Sequence, residues 1–348
     1  IWPRSKMANL VKKLSESGAR VISFDIGFLE ADEKSVVKAI EDIEKNLTML
    51  DAKDRSYLEA LKRSSDNDRL LADAIAESKA KVVLGYFFQM EKLHSGDFDE
   101  GLLRIQQKNI QTSRYAQVKF HSEKAMDAPL ITAQVANANI ASISQATPYS
   151  GFFNMFPDKD GVVRWIPAVI EYADEMYAPL SLMTLSAFKD SQPLVVVAEY
   201  GVEKIQFDDM TIPTDELGRI MINYRGDAKS FKHIPVTDIL SGKVAESELK
   251  GKAVIVGATA IGIYDMRVTP FTSVFPGVEI HASIVDSVLR GEFLYHPTWA
   301  AVFDILAIVL AGLLLGMVLP RTGVFLGVLT VSVLFFGHIF FCQYLFSS

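Results

Sequence analysis

KGKAVIVGATAIGIYDMRVTPF, residues 250–271, decides how the chain is read. A short β-branched run at 253–256 meets Gly257 and then small polar residues, which is how a strand enters a turn at the carboxyl edge of a parallel sheet. A dinucleotide fingerprint would place G-x-G-x-x-G directly after the strand. Here Gly257 is followed by Ala258, Thr259, Ala260 and Ile261 before Gly262, so the middle glycine that admits a pyrophosphate is missing. No Gly-Lys-Ser/Thr of a P-loop follows either. The stretch is read as a strand and the loop behind it, one wall of a ligand pocket, because open α/β sheets bind ligands at that edge.

Outward from it the same texture recurs. ARVISFDIGF (19–28), KVVLGYFF (81–88) and PLVVVAE (193–199) are β-branched and aromatic runs with the look of buried strands. DNDRLLADAIAES (66–78) has an acidic start and helical apolar spacing, and PGVEIHASIVDSVLRGE (276–292) opens after a proline and stops near a glycine. Alternating strands and helices predict a layered α/β fold with a mostly parallel sheet. In the middle, residues 154–180 and 211–226 read as antiparallel hairpin additions with turns at 158–161 and 215–218.

The C-terminal end has another chemistry. Residues 299–319 hold a single charge, Asp304, and residues 324–346 hold none apart from a protonatable His338. Each run is long enough, at about 1.5 Å per residue, to cross a hydrocarbon core of about 30 Å. PRTG between them leaves room for only a tight turn, which predicts a transmembrane helical hairpin. Arg321 in that turn puts it in the cytoplasm by the positive-inside tendency and residues 1–298 outside. Ser348 is then outside as well, and a cytoplasmic output module would require a third helix beyond it. The opening Ile1 places the true start upstream. A net charge of −7 over 348 residues speaks against nucleic acid as a partner, and the single cysteine, Cys342, excludes an internal disulfide.

Taken together, WPRSKMANLVKKLSESGARVISFDIGF, LLADAIAESKAKVVLGYFF, GFFNMFPDKDGVVRWIPAVI, LGRIMINYRG, VTDILSGKV, LKGKAVIVGAT, YDMRVTPF and PGVEIHASIVDSVLRGEFL, followed by membrane helices, resemble the second type of CHASE domain. The resemblance covers most of residues 2–294 in the family's order and is most specific around LKGKAVIVGAT, TPF and PGVEIHA. It implies an extracytoplasmic sensor domain at 1–295, in a bacterial cell membrane receptor, followed by membrane helices and a cytoplasmic cyclase, histidine kinase or Ser/Thr kinase. Three departures stand out: the family's first strand is absent, the region around 30–65 is enlarged, and two membrane helices are present instead of three.

Asp25 at the end of one strand, Thr259 at the end of another, and Asp265 and Arg267 in the following loop are candidates to line a pocket for a charged or polar small molecule. Each has a structural alternative: Asp25 as a helix cap, Asp265 with Arg267 as an ion pair closing the loop. His281 reads as a packed or capping histidine, with pH sensing as the alternative. DKDG (158–161) is a turn, lacking the length and downstream Glu of a calcium loop. No HExxH, no His/Cys cluster and no G-x-S-x-G elbow occurs, so neither a metal, a cofactor nor a catalytic residue is assigned.

Two further expectations concern assembly. Val36, Ile40, Ile43, Leu47 and Leu50 follow a four-three heptad spacing that runs on through Asp54 to Tyr57 and Leu61. This seam predicts either a homodimer or intramolecular packing on the helix at 66–78. Asp304 and His338 fall at similar depth in the membrane hairpin and are expected to face each other. As a function the chain is read as a receptor's sensor region. The alternative is a structural or interaction subunit of a membrane assembly that uses the same fold as a docking surface.

Overall fold

The computed structural model describes residues 2–32, 40, 42, 45, 51–91, 100–259, 266–295 and 299–347. They fall into two units, Ile1–Leu294 and Tyr295–Ser348. The strands that organise the first unit are, in chain order, β1 (Val21–Asp25), β2 (Lys81–Gln89), β3 (Gln117–Phe120), β4 (Val135–Asn137), β5 (Ser150–Phe152), β6 (Leu194–Ala198), β7 (Gly201–Phe207), β8 (Met210–Pro213) and β9 (Ala253–Gly257). Its main helices are α1 (Arg4–Glu16), α2 (Asn67–Ala76), α3 (Leu180–Lys189) and α4 (Gly277–Arg290).

The central sheet runs β9-β1-β2-β4, with β5 also on β2. The β1–β9, β1–β2 and β2–β5 pairs are parallel and the β2–β4 pair is antiparallel. In β1 four successive residues, 21–24, are buried, as a strand covered on both faces requires. Strand alternation divides the apolar side chains of β1 and the first half of β2 between two cores, while Tyr86 and Phe88 further along β2 join a third. Ile22, Phe24, Val82 and Leu84 join Leu10, Val11 and Leu14 of α1 and Leu71 and Ile75 of α2. Val21 and Val83 join Leu180 and Met183 of α3 and Ile280, Ile284 and Val288 of α4. On that face the buried Ser23 hydroxyl meets Thr184 Oγ1 at 2.6 Å, so neither polar group is stranded.

The helix signals hold. Asp66 caps α2 by accepting from Arg69 N at 3.2 Å, and α4 follows Pro276 and ends at Gly291 in the left-handed region (φ 69°). PLVVVAE is a strand, β6, but it sits in a second sheet, β8-β7-β6-β3, whose β6–β7 and β7–β8 pairs are antiparallel. The two middle hairpins are rearranged. Both turns form, with Gly161 N donating to Asp158 O and Gly218 N to Asp215 O. Their downstream strands, Trp165–Pro167 and Arg219–Met221, pair antiparallel with each other, so the two segments are stitched together. Arg219 reinforces the stitch, its guanidinium on Asp215 at 2.7 Å and over the Trp165 ring at 5.2 Å. A true hairpin, Ile170–Tyr172 with Glu175–Tyr177, closes through Ala173 and Asp174 at φ 50° and 61°, the left-handed pair of a two-residue turn.

The second unit is a pair of helices, α5 (Ala300–Val318) and α6 (Val324–Ser347), joined by a 3₁₀ turn at Leu319–Arg321. Phe303 stacks on Phe341 at 5.6 Å, which makes the pair antiparallel. The segments Val302–Arg321 and Val324–Tyr344 have mean hydropathies of 2.7 and 2.3 and are almost wholly unburied. Side chains such as Phe325, Val324 and Phe340 project outward. Apolar surface on that scale calls for lipid, and both helices are long enough to cross it.

Candidate functional site

The carboxyl edge of the central sheet is assembled by three chain ends. β1 stops at Asp25, β9 stops in register beside it at Gly257, and α4 starts just past Pro276. A Cβ on Gly257 would lie 2.7 Å from Val278 Cβ and 3.4 Å from Asp25 Cβ. The glycine of VGAT therefore lets the first turn of α4 close onto the sheet. Close packing, not a phosphate, accounts for it.

Into this junction α4 directs His281, which is 1% exposed. Its Nε2 lies 3.8 Å from Asp25 Oδ1, too far for a hydrogen bond, and neither ring nitrogen has a hydrogen-bond partner among the described residues. Burial lowers its pKa to about 3, with the nearby Arg267 guanidinium adding to the effect. Both influences favour the neutral imidazole. Arg267 belongs to a short ladder, β10 (Met266–Arg267) with β11 (Phe275–Pro276), where it is opposite Phe275.

The structure thus gathers Asp25 and Arg267, two of the expected residues, around His281. Thr259 is exposed two residues past the end of β9. Asp265 lies outside the described residues. A second buried acid was not anticipated: Glu279, 2% exposed, in the first turn of α4. Its oxygens accept from Lys229 N at 2.8 and 3.0 Å, and His233 Nε2 is 2.9 Å from Oε1. Glu-x-His just inside a proline-started helix is the only trace these residues leave in the sequence. Among the described residues no group of three or more His, Cys, Asp or Glu could hold a metal ion.

Of the heptad seam, Ile40 is buried at 3% exposure, while Val36, Ile43, Leu47 and Leu50 lie outside the described residues. The chain is extended at Asp51, which caps a helix at Ala52–Ser65 by accepting from Asp54 N at 2.7 Å. Tyr57 and Leu61 therefore sit on the helix that Asp51 caps, with Tyr57 68% exposed. In the apolar pair both Asp304 and His338 are exposed, and His338 Nε2 lies 3.6 Å from Cys342 Sγ one turn on.

Compared with known families, the chain matches the model described as the CHASE2 domain over residues 1–317. No curated protein and no solved structure matches it.

Proposed function

The chain belongs to the CHASE2 domain family, sensory extracellular domains of signalling receptors, and from that premise we propose that residues 1–295 are the sensor of a membrane receptor. In this reading the two apolar helices pass the sensor's state through a bacterial cell membrane to a cytoplasmic cyclase or kinase encoded outside this stretch. The observation that carries it is the order of parts: a sensor-family α/β unit leads directly into two helices whose apolar side chains face outward. The polar junction of Asp25, His281 and Arg267, with Thr259 just past the end of β9, is the proposed site for a charged or polar small molecule, and Asp265 is kept as a candidate from the sequence alone. A homodimer through the Val36–Leu50 region is part of the same proposal.

The topology is tested by labelling with a membrane-impermeant maleimide, in a Cys342→Ser chain. Lys159→Cys, in the turn at 158–161, is expected to react in intact cells, and Thr322→Cys only after permeabilisation. The opposite pattern would put the sensor inside the cell and end the reading. A docking subunit is favoured by one observation: Val268, Phe271 and Val274, around the turn between β10 and β11, are 40%, 55% and 46% exposed.

A further inference from the structure

Among the described residues α4 is the last regular element before the apolar pair, and a single irregular segment holds it by both ends. Residues 223–233 run along α4 in the opposite direction. At the far end Arg225 grips Asp286 Oδ2 through Nε at 2.5 Å and Glu292 Oε2 through Nη1 at 2.6 Å. Asn223 Nδ2 donates to the Glu292 carbonyl at 3.4 Å. At the near end Glu279 is held by Lys229 N and His233. Glu279 and Asp286 are two helical turns apart and share a face, about 10 Å along the axis, so one short segment spans both.

The attachment is polar. Tyr224, which donates to Val163 O at 2.8 Å and packs on Phe275, anchors the start of the segment, and Ile234 packs against a core just past its end. Between these anchors Ala228 packs against a core and Lys232 Nζ pairs with Glu248 Oε2 at 2.6 Å, while the grip on α4 itself comes from the two clasps. Gly226 and Lys229 are in left-handed backbone, φ 131° and 71°, the second being costly for a residue with a Cβ. A buried carboxylate whose partners among the described residues all come from this segment makes the near clasp firm, because releasing it takes those partners from Glu279 in the interior. The far clasp is easier to open. Glu292 is half-exposed, and Gly291 ends the helix just before it.

We infer that residues 223–233 are a latch on α4: closed, it pins the helix and residues 291–295 beyond it; opened at Arg225, it frees the stretch that leads into the apolar helices. The inference rests on the sensor reading for its purpose, not for its existence. The test uses the full chain in lipid nanodiscs and amide hydrogen exchange of Arg225→Gln. Amides of 223–233 and 284–295 are expected to exchange about ten-fold faster, the scale of one charge-assisted contact, while β1 and β2 keep their protection. Glu292→Gln removes one arm alone and is expected to give a smaller rise in the same peptides. Unchanged exchange in both variants, or a rise shared equally by β1 and β2, would overturn the latch. Disulfide formation between Phe303→Cys and Phe341→Cys, in a Cys342→Ser chain, is followed in parallel. Faster exchange with unaltered crosslinking would uphold the latch and remove the sensor-to-membrane relay.

Discussion

Acid should act on this fold through His281, and the sign of the effect separates two descriptions of the site. The imidazole is 1% exposed, without a hydrogen-bond partner among the described residues, and its pKa is lowered to about 3. An unfolded histidine titrates near 6.5, so between these two values the unfolded chain binds a proton that the folded one refuses. Stability then falls as pH drops below about 6.5, at about 1.4 kcal/mol per pH unit, until the folded state itself protonates. From pH 7.5 to 4.5 the loss is about 3 kcal/mol, on a domain whose whole stability is of the order of 5–15 kcal/mol.

Other groups titrate in the same window, so the measurement is a difference. His281→Gln keeps a polar side chain without the protonation, and background titrations cancel between the two proteins. Urea unfolding of detergent-solubilised chain, read by pulse proteolysis at pH 7.5, 6.5, 5.5 and 4.5, gives the stability gap at each pH. The advantage of the parent over the variant should shrink by about 3 kcal/mol toward pH 4.5. A gap independent of pH would show that His281 is not held neutral. A gap that widens on acidification would mean an imidazolium paired with Asp25, with a raised folded pKa, and the reading of a neutral centre would be wrong.

Three further outcomes are expected. Gly85→Ala, whose Cβ would lie 2.3 Å from Phe24 O and 2.8 Å from Phe153 Cδ1, should cost about 3 kcal/mol or more in the same unfolding assay; a loss below about 1 kcal/mol would show that β1 and β2 yield more readily than their packing implies. Ile43→Asp with Leu47→Asp should halve the mass found in sedimentation if the seam joins two copies, and an unchanged mass for a dimeric parent would remove that interface. Asp304→Cys should crosslink with His338→Cys in a Cys342→Ser background if the two face each other; failure while pairs one turn away react would show that they point apart.

How much of this was legible in the sequence follows from the range of each interaction. β1, β2 and β9 were visible because parallel strands covered on both faces need uninterrupted apolar runs, and α4 was visible because its proline and glycine mark both ends locally. β6 reads in the same way as those strands, yet it lies in another sheet, since a run such as LVVVA specifies burial and not neighbours. The crossing of Trp165–Pro167 with Arg219–Met221 joins residues more than fifty positions apart, beyond the reach of any turn rule. At the junction, Asp25 and Arg267 could be named in advance because strand ends and the loops behind them are where α/β sheets put polar groups. His281 was read as a packed or capping histidine and it is packed, whereas the burial of Glu279 was not read, because a lone acid on a helix has no spacing to betray it. Their meaning comes from burial, which here depends on Gly257 admitting α4.

The latch and the polar junction meet on one helix, and that bears on what a bound molecule could do. The first two turns of α4 carry Glu279, held by the latch, and His281, turned toward Asp25. A ligand engaging the Asp25 and Arg267 side would press on the same turns that Lys229 and His233 clamp from the other side. Such a ligand shifts the latch only if it binds the open and closed arrangements with different affinity. The neutrality of His281 favours discrimination, since a buried ring whose two nitrogens have no hydrogen-bond partner among the described residues gains more from a new hydrogen bond than one already paired. The far clasp then responds through a rigid body. α4 is continuous from Gly277 to Arg290, so displacement of its first turn is carried to Asp286 without a hinge until Gly291. Because the helix stops there, displacement rather than helical rotation is what residues 291–295 can receive.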